Sequence, residues 1–226
     1  MKNLGLTLLT GLLLLSFSLN AQDCTFYFPA KVGASMETKT YDGKDKLTAS
    51  VKSKVLESTA NSIKFNSEVF DNKGKSLSKG DYEVKCQGGE FVIDMKSYLK
   101  DMDMSKYKDM EMNIDSKNMS IPAKLVAGQK LNDGEVSVKI SSGGFKIMTI
   151  TIKILNRVVV GMEDMTTPAG TFKCAKISSN MESKIMGTVK TKLIEWVSEK
   201  VGSVRTESHD QKDKLLTYSV LSAFNQ

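Results

Sequence analysis

One histidine, three prolines, three cysteines and one tryptophan in 226 residues narrow the chemistry at once. A Ser-His-Asp or Cys-His site needs a base beside its nucleophile. The single candidate is His209, set in a charged hairpin tip beside Asp210 and read as a solvated turn residue. Zinc needs closely spaced His and Cys ligands. One histidine and three dispersed cysteines do not supply them. No G-x-S-x-G elbow and no phosphate-cradling glycine loop occurs. We therefore expect no catalytic set, no cofactor and no metal. Calcium fares no better. Asp101, Asp103, Asp109 and Glu111 lack the spacing of a calcium loop and are interrupted by methionines.

Long apolar runs are missing too, with one exception. Leu4 to Leu19 follows Lys2 and ends at Asn20-Ala21, the three-part pattern of a secretory signal peptide. The run is short for a membrane span. The expected organisation is a signal peptide over 1–21 and a single β-rich domain over 22–226, periplasmic or secreted and not an integral membrane protein. Lipid attachment at Cys24 would want small residues before it, and Gln22 and Asp23 stand there instead. An oxidising compartment allows one disulfide among Cys24, Cys86 and Cys174, with the pairing open.

The net charge is +6, but the lysines are scattered singly and aromatics are few, so nucleic acid is not an expected partner. What the chain has in quantity is alternation. Ile63 and Phe65, then Val136, Val138 and Ile140, then Ile150, Ile152 and Ile154 each alternate with polar residues, the period of a half-buried strand. Turn signals recur at short spacing, among them Asp42-Gly43, Asn132-Asp133-Gly134 and Gly143-Gly144. Three charged tips, at 41–47, 70–77 and 208–215, share an early aspartate and a lysine before the next apolar residue. That pattern is hairpin chemistry with an aspartate capping the turn. Met95 to Met110 instead has helical spacing and is read as a short amphipathic helix. The fold expected is mainly β: one curved antiparallel sheet of about eleven strands closing as a barrel or half-barrel, with one short helix.

Methionine is the compositional excess, thirteen in all. Thioethers can bind Cu(I), but no regular methionine box is present. They also fill irregular cores and adapt to apolar ligands. Met95, Leu99, Met102, Met110, Met148 and Trp196 are the residues expected to line an apolar or lipid-like ligand. A paired-carboxylate glycosidase would draw on Glu163-Asp164 and Glu195, with Trp196 beside them for sugar stacking, by residue type alone. The alternative partner is an envelope protein met through strand edges or loops.

One stretch carries a resemblance. Thr167-Pro168-Ala169-Gly170-Thr171-Phe172, with Cys174, precedes Glu195-Trp196-Val197-Ser198, Val201-Gly202 and Val204. It resembles the C-terminal signature of an uncharacterised, TapB-like domain-of-unknown-function family of bacterial envelope proteins, Bacteroidetes type. Val197 departs from that pattern by replacing the usual aromatic. The resemblance implies a secreted β-rich fold akin to the half-barrels of the lipoprotein carriers LolA and LolB. It implies no reaction. Pro168, Gly170, Phe172, Trp196 and Gly202 are then structural motif residues: turn, turn, packing pair and bend.

Overall fold

A computed structural model describes residues 26–100, 109–185 and 187–226. The strands are β1 (Ser35–Asp42), β2 (Leu47–Ser58), β3 (Ser62–Asp71), β4 (Ser76–Gln87), β5 (Glu90–Ile93), β6 (Glu111–Lys117), β7 (Met119–Pro122), β8 (Gly134–Ser142), β9 (Phe145–Thr167), β10 (Gly170–Lys184), β11 (Thr188–Ser198), β12 (Gly202–His209) and β13 (Leu215–Asn225). One short helix, α1 (Ser97–Lys100), lies between β5 and β6. All thirteen strands form one sheet, ordered β6-β8-β9-β10-β11-β12-β13-β1-β2-β3-β4-β5-β7, with every pairing antiparallel. The two edge strands, β6 and β7, are consecutive in the chain and separated only by Asn118. The sheet therefore curls until its edges nearly meet, a barrel left open along one seam.

The barrel expectation holds, with thirteen strands rather than eleven. The difference arises in short pieces such as β5 and β7, which carry only two alternations each. Of the helix expected over Met95–Met110, the described residues show Ser97–Lys100 as helical, and 101–108 lies outside the described residues. Strand β9 runs on through Arg157 and Val160 to Thr167, where the motif begins.

Turn chemistry is the clearest link from sequence to structure. In each of the three similar tips one aspartate oxygen accepts two backbone N–H groups: Asp42 from Lys44 and Lys46, Asp71 from Lys73 and Lys75, Asp210 from Lys212 and Lys214. The left-handed residue each turn requires is Gly74 in the second tip, and Asp45 and Asp213 in the other two. Aspartate is among the few residues besides glycine that visit that conformation, and here Asp45 accepts from the Tyr218 hydroxyl and Asp213 from the Lys192 ammonium.

Three apolar clusters fill the molecule. The first joins Val55, Ile63, Phe91, Ile121, Val159, Ile177 and Val197 under Phe26 and Tyr27. The second joins Met95, Leu99 and Met119 to the buried faces of β8 and β9. The third sits where β12 and β13 part. Their last register pair is Arg205 with Val220; residues 202–203 then pair only with β11, and 221–225 only with β1. Cys174, Trp196, Val201, Val204 and Leu221 fill that fork.

Candidate functional site

The candidate site is a solvent-open pocket on the β2–β4 side of the sheet. A cavity of about 340 Å³ is lined by Val51, Phe65, Ser67, Val69, Tyr82 and Ile93, with Ser97 and Tyr98 of α1 across it. Strands β2, β3 and β4 supply one wall because Val51, Phe65 and Val69 lie at alternating positions and pair across the ladder, Val51 with Val69 and Phe65 with Tyr82. Phe65 and Tyr82 stack with ring centroids 5.7 Å apart. The wall is apolar with isolated hydroxyls, which is how small-ligand pockets are built.

Helix α1 is held in place locally. Asp94 accepts the Lys96 N–H, and the Ser97 hydroxyl donates to the Asp94 carbonyl. The Met95 N–H donates to the Asn118 side chain at the seam. Met95 is fully buried and Leu99 nearly so, both in the second cluster. These two anchors hang the helix over the cavity through Tyr98.

A buried charge stands close by. Arg157 is only 3% exposed. Its Nη1 donates to the Ser120 carbonyl at 3.0 Å and the Asn132 carbonyl at 2.9 Å. Ser120 lies in β7, so this side chain ties one edge of the sheet to β9 across the seam. The same junction is reinforced by backbone bonds from Gly128 to Val159, Val159 to Gln129 and Leu131 to Arg157. Asn132 completes it by accepting the Ser120 N–H and donating to the Asn118 carbonyl. Arg157 reaches the interior because Asn156, at φ 56°, shifts the alternation of β9: Ile150, Ile152 and Ile154 are buried before it, Arg157 and Val159 after it.

Glu195 faces the same region. It shares its strand face with Leu193 of the second cluster and Val197 of the first, so it lies between them. Burial pushes its carboxyl above the ordinary glutamate value, against the opposing pull of Arg157 and a hydrogen bond from Ser203. Burial likewise lowers the Arg157 guanidinium, with Glu195, Tyr98 and Asp133 opposing. No direct ion pair joins Arg157 and Glu195. The interior thus holds a well-bonded guanidinium and a carboxyl that burial pushes upward against the pull of that guanidinium.

The residues expected to line a ligand are distributed differently. Met95 and Leu99 are packed solid, and Met110 and Met148 are partly buried against the same cluster. Met102 lies outside the described residues. Trp196 occupies the face opposite Val197, in the fork. Its indole N–H donates to Glu163, and the Lys176 ammonium sits 5.0 Å from its ring. That bond holds the Glu163 carboxyl below its usual range. Glu163 and Glu195 therefore lie on opposite faces and are not brought together as an acid pair. His209 bonds Glu207 and the Asp213 carbonyl in its tip.

The motif residues are placed as turn and packing elements. Pro168 and Gly170, at φ 131°, make the β9–β10 turn. Phe172 packs edge-on against Phe224 at 6.1 Å. Gly202 completes the β11–β12 turn instead of bending a strand; its φ is 104°, and a Cβ there would meet the Tyr27 carbonyl at 3.1 Å. Cys174 is a free, buried thiol, so it is not an end of a disulfide. Its pKa is raised to about 11 by burial first and by Asp164 and Glu163 next.

Curled sheet and seam together define a barrel-like, mainly β protein. The chain belongs to the DUF3108-like family, whose profile matches residues 31–221. It is similar to a Bacteroides fragilis NCTC 9343 protein described as a candidate exported protein with a YmcC-like fold, at 25% identity and TM-score 0.72, covering 90% of this chain and 100% of that one. It is equally similar to a candidate lipoprotein of Parabacteroides distasonis ATCC 8503, at 28% identity, TM-score 0.72 and the same coverage. No curated protein matches. The uncharacterised-family reading stands under this description; these matches do not confirm the TapB-like label or the relation to LolA and LolB. Among the described residues, no helix is long and apolar enough to cross a membrane.

Proposed function

We propose that the chain is an exported, non-enzymatic envelope protein that binds a lipid-like apolar ligand in the cavity under α1. The observation that carries this reading is the cavity itself. Val51, Phe65, Val69 and Ile93 give it apolar walls, and its size suits an acyl chain segment rather than a whole lipid. Export is supported by the Lys2-to-Ala21 pattern and by the descriptions of the two similar structures. In an oxidising compartment the free Cys174 leaves Cys24 and Cys86 as the disulfide pair. Phe26, two residues beyond Cys24, packs on Phe91 at 6.2 Å, and Phe91 is the register partner of Cys86.

The test is native mass spectrometry of the protein recovered after export, followed by titration with a fluorescent fatty acid. Filling the cavity by Val51→Trp or Val69→Trp should abolish binding while leaving the thermal transition in place. Unchanged binding in both variants would exclude this cavity. A second reading, assembly with an envelope protein, is favoured by one observation. Edge strand β6 is exposed along its whole length and offers an unpaired ladder for strand addition.

A further inference from the structure

The tip between β12 and β13 differs from its two counterparts in one respect. The residue before the capping aspartate is Tyr41 in the first tip, Phe70 in the second and His209 in the third. The third tip therefore carries a ring that titrates near neutrality, the sole histidine of the chain. Its side chain is only 17% exposed. Both ring nitrogens face acceptors: Nε2 lies 3.0 Å from a Glu207 carboxylate oxygen and Nδ1 lies 3.2 Å from the Asp213 carbonyl oxygen. A carbonyl oxygen accepts and does not donate, and an ionised carboxylate is the same. Arg205 bonds the other Glu207 oxygen through Nε and Nη2, each at 2.7 Å. Burial works against the Glu207 charge, but the bonds from His209 and Arg205 outweigh it and hold that carboxyl below its usual range.

A neutral imidazole has one N–H and one lone pair. In either tautomer it satisfies one of these acceptors and turns a lone pair toward the other. The imidazolium donates to both. Burial opposes that charge, and the Glu207 and Asp213 bonds outweigh it, so the ring titrates above the ordinary histidine value. The remaining charges of the tip are matched to one another. Lys192, the register partner of His209 on β11, holds the Asp213 carboxylate at 2.6 Å. Asp210 accepts the Lys212 and Lys214 N–H groups, and both lysines are exposed. On β13, Tyr218 is the register partner of Glu207; the Arg205 guanidinium lies over its ring at 4.7 Å, and its hydroxyl donates to Asp45 of the first tip. The Gly43 N–H of that tip donates to the Leu216 carbonyl. The third tip is thus fastened to the first where β1 and β13, the first and last strands, meet.

We propose that the β12–β13 tip is a pH-sensitive latch, closed while a His209 imidazolium bridges Glu207 and the Asp213 carbonyl and loosened when its proton leaves. Proton loss sets a nitrogen lone pair against one acceptor and releases the tip from the end of β12. A group whose folded pKa is raised contributes stability that is full below its unfolded value, 6.5 here, and is lost as pH rises through the folded value. The latch is therefore set in mildly acidic medium and released on the alkaline side of the folded midpoint.

The experiment is a pH titration followed by nitrogen-15 NMR of the imidazole, on protein prepared without a histidine tag, so that one residue gives the whole signal. The midpoint is expected above 6.5, and Glu207→Gln should bring it back to that value or below. Hydrogen exchange supplies a second reading that does not depend on this variant. Amides 212–216 should lose protection as pH passes the midpoint, measured against the 70–77 tip, which has the same aspartate cap and no titrating ring. The loss is about tenfold for each pH unit by which the native midpoint exceeds that of the opened tip. His209→Phe copies the second tip, so it should keep the third protected and remove the pH dependence. A midpoint at or below 6.5, or tip exchange that tracks the 70–77 tip at every pH, would overturn the proposal. So would a pH dependence that survives His209→Phe, which would assign it to another group.

Discussion

Replacing Arg157 by methionine tests the seam. The substitution keeps most of the side-chain length and apolar stem while removing the guanidinium. It deletes two charge-assisted bonds, to Ser120 and Asn132, each contributing about 1.5–3 kcal/mol. Part of that loss is offset, because a buried cation no longer has to be desolvated. The change also removes the opposing pull of Arg157 on Glu195, whose carboxyl burial already pushes upward. The net expectation is a destabilisation of about 3 kcal/mol. For a chain of this size that lowers the midpoint by roughly 6–12 °C. Urea unfolding followed by Trp196 fluorescence should show the loss with an unchanged denaturant slope. Hydrogen exchange should localise it, with the Gly128, Leu131 and Val159 amides that cross the seam losing protection first. The pH dependence has a defined sign. A glutamate whose folded pKa is raised contributes stability that is full below its unfolded value near 4.5 and is lost as pH rises through the folded value. Without Arg157 that folded value rises further, so the variant should suffer more at neutral pH than at pH 4. A loss below 0.5 kcal/mol, or one independent of pH, would refute the clasp.

Cys174 should resist alkylation in the native protein at pH 8, its thiol being buried with a pKa of about 11, and should be modified at once in denaturant; mass spectrometry reads both. Non-reducing peptide mapping should recover a Cys24–Cys86 disulfide. Closing a loop of about 60 residues, it should contribute roughly 4 kcal/mol, and reduction should lower the thermal midpoint accordingly. Gly202→Ala should cost about 1–3 kcal/mol by equilibrium unfolding, because φ is 104° and the added carbon meets the Tyr27 carbonyl. Gln in place of Glu195 should flatten the stability profile between pH 4 and neutrality with little cost at its acidic end.

Local features were the legible ones. The aspartate-capped tips could be read directly because the capping group and its donors lie within four residues of each other. The Ile150–Ile154 alternation could be read because every second side chain meets one core. Arg157 was missed because Asn156 changes the phase of β9, and a period of two carries no marker for such a shift. The available signal was an Asn-Arg pair inside an otherwise apolar run, asparagine being among the few residues at ease with positive φ. Trp196 was expected beside a ligand, and alternation alone placed it on the face away from Val197. The cavity walls were invisible as a set, because Val51, Phe65 and Ile93 meet only through strand pairing and the position of α1.

The position of the chain ends in the sheet has a consequence for when the protein can fold. Strand β1 pairs with β13, Ser35 opposite Asn225, in the middle of the sheet and not at its edge. That ladder joins residues about 190 positions apart, so its contacts are among the slowest to form. Until β13 is available, β1 has one side unsatisfied and presents a bare edge, the condition that invites intermolecular pairing. Completion of the barrel therefore waits on Leu215–Asn225, and refolding yield should fall with protein concentration until that strand has paired.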